Sequence, residues 1–179
     1  MANRTENQGV FIGSASSPST TSTVASFNES TLPYGGALGQ LYRVGDKWYR
    51  LVQLEASAAI AGADGRVAFW YDKATYKVTS TVVRSFPNKP AGLFIGALTI
   101  GYYGFIQVEG IHSTAAVTAA AGAAVGGLAC VCDTASSGLC LAWAAASQYI
   151  GGLPRTSLGV FVDTSISGVA PVDLMLRRG

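Results

Sequence analysis

The residues best suited to chemistry lie in and just after the stretch GYYGFIQVEG, residues 101–110. Glu109, His112 and Ser113 stand close together there, and His112 is the only histidine of the chain. These types could supply an acid, a base and a nucleophile, but such a site needs its nucleophile on a sharp, strained turn. No G-x-S-x-G sequence occurs. We therefore predict no catalytic residue, and a hydrolase centred on His112 is kept as an alternative hypothesis.

Three cysteines, Cys130, Cys132 and Cys140, form the other reactive group. With His112 they have the donor set of a Cys₃His zinc site, but such sites present thiolates in C-x₂₋₄-C pairs that let both sulfurs converge. On a strand, the C-x-C spacing leaves two sulfurs about 6.5–7 Å apart along one face. The sequence thus predicts no metal. Buried thiols are the favoured interpretation, and a disulfide from Cys140 to Cys130 or Cys132 is left open.

The other candidate positions indicate no cofactor. The aspartates are scattered, and several fall at turns, where a carboxylate bonds its own backbone. No G-x-x-x-x-G-K-[ST] phosphate loop occurs. The aromatic residues Trp48, Trp70, Tyr102 and Tyr103 could form a stacking platform, although strand aromatics more often pack in a core. A host-surface or carbohydrate-binding module is therefore the alternative function.

Charge is sparse along the whole chain. Charged residues make up 12% of the sequence, about half of the ~25% that is usual. A surface with so little repulsion is typical of a protein whose partners cover much of it. The net charge of +2 creates no strong positive field, so we expect no nucleic-acid partner.

Two segments bear on location. The N-terminal stretch MANRTENQGVFIG does not have the pattern of a signal peptide, because Glu6 follows Arg4 and no long apolar run comes after them. Synthesis in a cytoplasm with reduced thiols is therefore expected. Residues 110–132 contain no Asp, Glu, Lys or Arg, but the Ala and Gly that dominate them contribute little to membrane insertion. No membrane partner is expected.

The predicted fold class is all-β and mainly antiparallel. An extended Ser/Thr-rich N-terminal arm over residues 1–38 precedes a β-barrel or β-sandwich-like body over residues 39–179. Twenty-two glycines, together with many Ser and Thr residues, favour short strands joined by turns.

Local patterns place several of these turns and strands. Hairpin turns are predicted at residues 45–46 and 136–138, and a turn at 64–65 precedes a predicted strand over 67–71. The alternation in YKVTSTV predicts a further strand over residues 76–82.

Two segments echo one another. Residues 91–109 and 158–176 can be aligned, and each has the pattern of a strand, a glycine turn and a second strand. The matched pairs are Gly92 with Gly159, Phe94 with Phe161, and Gly101 with Gly168. One sheet or barrel that uses a similar hairpin twice is the interpretation, and chance similarity between two hairpins is the alternative.

The arm carries the predicted partner contacts. GVFIG, residues 9–13, places three consecutive apolar residues in a polar segment, which is typical of an anchor that adds to a sheet edge of another chain. Such composition cannot fold alone, so a flexible tail is the alternative. The predicted contact residues are Val10, Phe11, Ile12, Phe27 and Tyr34.

Four segments resemble the capsid decoration (cement) proteins and related small virion proteins of tailed bacteriophages. They are DKATYKVT (72–79), AGLFIGALTIGYYGFIQVEGI (91–111), AAGAAVGG (120–127) and LGVFVDTSISGVAPVDLML (158–176). Their order is similar to the family's strand ending in Y-x-V-T, glycine-bounded hairpin, Ala/Gly-rich run and returning C-terminal strand. The resemblance covers roughly residues 40–179.

The resemblance implies a virion structural protein on the capsid exterior, made in the cytoplasm of a host bacterium. Its implied partners are the major capsid protein and copies of itself, as a homotrimer or another homo-oligomer. Such proteins clamp neighbouring capsid subunits, some with an N-terminal arm, and so stabilise the shell. The chain is accordingly predicted not to be an enzyme.

Overall fold

The structure is a computed structural model. It describes residues 38–56, 58, 61–81, 89–118, 126–132, 138–142, 149–150, 153–154, 157–164 and 168–176. These residues contain no helix, and 61% of them lie in strands. The predicted all-β class is confirmed.

The strands are numbered in chain order through the described residues. They are β1 Leu41–Val44, β2 Lys47–Leu54, β3 Val67–Asp72, β4 Lys77–Thr79, β5 Pro90–Phe94, β6 Tyr103–Ala116, β7 Ala129–Cys132, β8 Cys140–Ala142, β9 Tyr149–Ile150, β10 Leu153–Pro154, β11 Ser157–Phe161 and β12 Val169–Met175. Strands β9 and β10 form a separate antiparallel pair.

Five strands close into a barrel in the order β2, β4, β3, β5 and β6. The ring closes because β2 pairs in parallel with β4 on one side and antiparallel with β6 on the other. Closure pairs both edges of every barrel strand, so none of the five presents a free edge. Strand β1 continues from β2 outside this ring. Of the two predicted bodies, barrel or sandwich, the chain forms a barrel.

A second sheet grows from the end of β6 that lies beyond the barrel. It runs from β6 through β12, β11 and β7 to β8. Val117, which directly follows β6, bridges Cys140 of β8. The backbone N–H of Thr118 donates to the carbonyl oxygen of Cys140 at 3.0 Å. The second sheet therefore curls until its last strand meets the end of β6.

Strand β6 changes partners at Glu109, which lies opposite Trp48 of β2 and Met175 of β12. Gly110 follows with a φ of +86° and lies against β2, so that a Cβ there would lie 2.8 Å from the carbonyl oxygen of Asp46. The buried Gln107 side chain donates from Nε2 to the carbonyl oxygen of Gly110 at 2.9 Å. This bond and the glycine backbone let one strand serve both sheets.

One hydrophobic core fills the barrel and continues beneath the second sheet. Val52, Leu93 and Ile106 of the barrel belong to the same buried cluster as Leu158 and Val172. Each such side chain contributes roughly 1.5–3 kcal/mol when fully buried. The two sheets are therefore held together by shared packing as well as by β6.

The opposite side of β2 is buried as well, in a second cluster with Tyr42, Ile95 and Phe105. Tyr49 and Leu51 of β2 belong to it, and the Tyr42 ring meets the Phe105 ring edge-on at 5.3 Å between centroids. Burial, with a smaller effect of Asp46, raises the pKa of Tyr49 to about 12. Alternating side chains of β2 therefore enter two different apolar clusters. The strand does not have one core side and one solvent-exposed side.

Three of the local predictions are confirmed by strand pairing. The turn at 45–46 joins β1 to β2, and the turn at 64–65 precedes β3. Strands β7 and β8 pair as the hairpin predicted around 136–138, although residues 133–137 lie outside the described part.

The strand predicted over residues 76–82 is confirmed only for Lys77–Thr79, because Tyr76 precedes β4 and residues 80–81 lie beyond its end. Tyr76 belongs to the turn before β4 and has a φ of +54°. Its ring lies where a Cβ on Gly39 would be, so the glycine makes room for it. The Asp72 carboxylate accepts hydrogen bonds from the Ala74 N–H at 3.0 Å and the Thr75 hydroxyl at 2.6 Å. Local turn chemistry therefore outweighs the alternating pattern. Residues 82–88 lie outside the described part.

Each echoing segment contains an antiparallel pair, β5 with β6 and β11 with β12. Gly101 and Gly168 both have a φ of +81° before the second strand. Gly92 and Gly159 each lie against the backbone of the partner strand, where a Cβ would meet a carbonyl oxygen. The matched glycines thus occupy equivalent places in the two pairs.

Replacing Gly110 with alanine is expected to lower the free energy of unfolding by more than replacing Gly101. Both glycines have a φ above +80°, so each substitution incurs roughly 1–2 kcal/mol of backbone strain. Only at Gly110 would the new Cβ also clash, because nothing lies within 4 Å of a Cβ built on Gly101. Urea unfolding of Gly110→Ala, Gly101→Ala and the wild type measures the difference. Equal losses would contradict the tight passage of β6 over β2.

Candidate functional site

The histidine considered for chemistry is buried beside an aspartate. His112 projects from β6 and is 5% exposed, and Asp64 lies in the turn before β3. The imidazole Nε2 of His112 lies 3.8 Å from Asp64 Oδ1. Its Nδ1 accepts the backbone N–H of Thr114 at 3.3 Å, and the Thr114 hydroxyl donates to Asp64 Oδ2 at 2.9 Å. Together these contacts tie the 64–65 turn to β6.

This arrangement is that of a structural clamp, in which the hydrogen bonds are made within the fold. The Thr114 hydroxyl is bonded to the Asp64 carboxylate rather than to the imidazole. The Nδ1 lone pair is already used by a backbone N–H. Burial lowers the pKa of His112, while Asp64 and the Phe94 backbone act in the opposite direction and Lys47 adds a smaller lowering effect. A neutral imidazole is therefore favoured in the folded chain.

Two of the cysteines lie in the core as free thiols. Cys130 on β7 and Cys140 on β8 are fully buried and form no disulfide. A hydrogen bond with Cys130, and then burial, raise the pKa of Cys140. The prediction of buried thiols is confirmed for these two, and neither makes the disulfide that the sequence left open. Cys132 lies opposite Cys140 in the strand pair, and its side chain lies outside the description.

The structure also bears on metal binding and on membrane-spanning helices. Among the described residues, no three His, Cys, Asp or Glu side chains are grouped so that they could hold a metal ion. No helix in the described part of the chain is long and apolar enough to cross a membrane.

The aromatic side chains proposed as a platform are in different environments. Trp48 and Trp70 are half-buried and pack against the main core. The guanidinium of Arg43 lies over Trp48 at 5.9 Å from the ring centroid, and that of Arg50 lies over Trp70 at 5.5 Å. Each indole thus has a cation against one face, and its body is used in packing.

The tyrosines of the same proposed platform differ from the tryptophans. Tyr102 is 37% exposed, whereas Tyr103 is half-buried and packs against the second cluster. Tyr71, which lies next to Trp70 in the FWYD stretch that the platform prediction also covers, is exposed as well. The exposed rings are therefore tyrosines on two different segments.

The outward side of the second sheet carries a row of opposed residues. Ile111 of β6 lies opposite Asp173 of β12. Val160 of β11 lies opposite Asp173 on its other side and opposite Ala129 of β7. Because directly opposed residues project from the same side of a sheet, these four side chains share one face.

We call this surface the apolar face. Its residues are Glu109, Ile111, Ala116, Ala129, Val160, Val162, Val169, Pro171, Asp173 and Met175. Met175 is 65% exposed, Val162 51% and Ile111 41%. The solvent side of an antiparallel sheet is ordinarily polar, but all of these residues except Glu109 and Asp173 are apolar. The exposed polar residues Ser113 and Thr114 lie beside them, at the irregularity of β6 opposite Pro171.

Sequence reasoning did not identify the apolar face, although one signal was present. In VAPVDLM, the sequence of β12, the inward set is Ala170, Val172 and Leu174, and three of the four outward residues are also apolar, Asp173 being the exception. Such a pattern is typical of a strand covered on both sides. The register between β12 and β6 decides which set faces the core. The other set is then left uncovered.

The contact residues predicted in the arm, Val10, Phe11, Ile12, Phe27 and Tyr34, lie outside the described residues. Comparison with known protein families, with curated proteins and with solved structures finds no match. The likeness to phage decoration proteins therefore stays a hypothesis from the sequence.

Lowering the pH below about 6.5, the ordinary pKa of histidine, is expected to destabilise the chain through His112. Because burial lowers the pKa of His112 in the folded state, the unfolded chain binds more protons in the window just below that value. Stability therefore falls as the pH falls, by up to about 1.4 kcal/mol per pH unit. Urea unfolding at a series of pH values measures the slope.

His112→Asn is the matched control for this pH dependence, because asparagine cannot titrate and His112 is the only histidine. The variant should have a shallower slope between about pH 6.5 and 5.5. Identical slopes for the variant and the wild type would show that His112 does not gain protons on unfolding.

Cys130 and Cys140 are expected to resist alkylation in the folded chain. Both thiols are fully buried and the pKa of Cys140 is raised, so little accessible thiolate forms. Iodoacetamide near pH 8 should modify them at least about tenfold more slowly than in urea-unfolded chain. Peptide mass spectrometry resolves each site. Equal rates in the two states would contradict their burial.

Proposed function

We propose that this chain is a virion structural protein that decorates the outer surface of a bacteriophage capsid and stabilises it by clamping neighbouring subunits. The apolar face carries the proposal. It places Ile111, Val162, Val169 and Met175, four of the seven exposed large hydrophobic side chains of the described residues, on one sheet. An exposed apolar patch of several hundred Å² is often a functional interaction surface.

The physical argument for a partner comes from area. A four-stranded face as long as β12, with seven residues, measures about 23 Å by 19 Å. The resulting area of roughly 400 Å² is smaller than the ~800 Å² per partner of a standard stable interface. Such a surface binds tightly when several linked copies bind one lattice, because each bound copy raises the effective concentration of the next contact. A repeating capsid provides this multiplicity, and a homotrimer or another homo-oligomer would use it.

Low charge supports the same proposal. Charged residues are 12% of the chain, and Glu109 and Asp173 are the only charges on the apolar face. The long-range repulsion that keeps monomers apart is therefore weak. Exterior decoration, with the major capsid protein and further copies as partners, suits a chain of this composition.

A host-surface or carbohydrate-binding module is the second candidate. The exposed rings of Tyr71 and Tyr102 support it, since an open aromatic face can stack on a sugar. The packing of Trp48 and Trp70 against the core removes the two largest rings from the proposed platform.

The capsid proposal is tested on virions and on heads. Antibody against the chain should label the outside of purified virions in electron micrographs. Added full-length chain should raise the temperature at which heads lacking it break open, since binding to the intact shell stabilises it. Heads that bind no chain, or that break at an unchanged temperature, would contradict the stabilising role.

Met175→Lys, on the apolar face, should abolish most of this protection because it places a charge in the buried contact. Tyr71→Lys is the matched control, since Tyr71 is also exposed but lies on β3 of the barrel. If both variants protect heads as well as the wild type does, the apolar face is not involved.

A further inference from the structure

We infer that residues 9–13 of the N-terminal arm, Gly-Val-Phe-Ile-Gly, dock on the apolar face of the second sheet. The inference rests on the proposed function and refines it, because the protein surface that covers the apolar face is then the arm of this chain or of a neighbouring copy. It can be tested on the purified chain without any capsid, so the two proposals can fail separately.

The first argument is the size of the face. Its projected area, on the order of 400 Å², is half of what one side of a standard stable dimer interface buries. A second folded body would therefore be held weakly by this face alone. A short extended segment fits better, because five residues span about 17 Å and β12 is about 23 Å long.

The second argument is chemical. The outward side chains of Ile111, Val160 and Met175 are apolar, and the polar groups between them are the carboxylates of Asp173 and Glu109. Residues 9–13 carry no charge and no polar side chain, and they stand in a segment that is otherwise rich in Ser and Thr. Phe11 has the largest apolar side chain of the five and is expected to cover the most surface.

The third argument is reach. The described body begins at Leu38, so residues 14–37 connect the docking segment to it. Extended, these residues span up to about 80 Å. The body, as a compact domain, is about 40 Å across. The segment can therefore reach the apolar face of its own body or that of a neighbouring copy.

Photocross-linking of the full-length chain tests the inference. The photoreactive residue p-benzoylphenylalanine replaces Phe11 and, in a control protein, replaces Ser22, a polar position of the same arm. After irradiation, the cross-linked peptides are identified by mass spectrometry. Cross-links from position 11 should fall on β6, β11 and β12, with few from position 22. A cross-linked monomer or dimer then shows whether the arm binds its own body or a neighbour's.

A lysine on the apolar face gives the decisive comparison. Val162→Lys should reduce the cross-link yield from position 11 about tenfold or more, because an unpaired charge beside Pro171 would have to be buried beneath the segment. Tyr71→Lys, on the barrel, should leave the yield unchanged. Thermal unfolding checks that both variants fold, which their exposed positions allow.

Three results would overturn the inference. The first is that cross-links concentrate on the edge strand β1, which would mean strand addition. The second is that position 11 gives no more cross-links than position 22. The third is that the yield from position 11 is equal in the two lysine variants.

Discussion

An unpaired backbone N–H or C=O group in a protein interior costs on the order of 1–3 kcal/mol, and β6 is the strand on which this constraint acts most strongly. Its first half closes the barrel between β5 and β2, and its second half begins the second sheet against β12. The backbone groups of this one strand must therefore form hydrogen bonds in both the barrel and the second sheet. It does so by bending at Gly110, where the Gln107 amide binds the carbonyl oxygen that faces it.

Several polar side chains in the described part of the chain hold the backbone in place. Gln107 supports the bend of β6, His112 and Thr114 hold the 64–65 turn through Asp64, and Asp72 shapes the turn between β3 and β4. These are groups that other proteins use for acid, base or ligand chemistry. Here their hydrogen bonds are made within the fold, which agrees with a function exerted through surfaces.

The two sides of the second sheet explain how such a surface arises. The inner side belongs to the same core as the barrel, so it must be apolar. The outer side is apolar as well, although nothing in the described part of the chain covers Met175 or Val162. An arm, a neighbouring copy or a capsid subunit would remove this surface from water. A low charge density gives little repulsion between free monomers, and the same weak repulsion favours close packing in an assembly.

Much of the local structure was determined by the sequence itself. The pair Gly45 and Asp46 specifies a hairpin, because a glycine at positive φ allows a two-residue turn. Glycines at 101 and 168 likewise mark the starts of β6 and β12. The all-β class follows from abundant glycine and β-branched residues, and the burial of Cys130 and Cys140 follows from apolar neighbours on strands. All these features depend on residues that are close in the chain.

The remaining features depended on contacts between distant residues. Alternation in β2 could separate two sides but could not show that both would be buried, since that requires β6 and Ile95 to arrive from elsewhere. The local turn at Asp72 keeps Tyr76 out of the predicted strand, and the place that its ring takes, against Gly39 and Trp70, depends on distant contacts. The meeting of Asp64 with His112, and the alignment of Ile111, Asp173 and Val160 on one exposed face, were decided by strand register. Register is set by long-range pairing and packing, because a shift of one residue would exchange the buried and exposed sides.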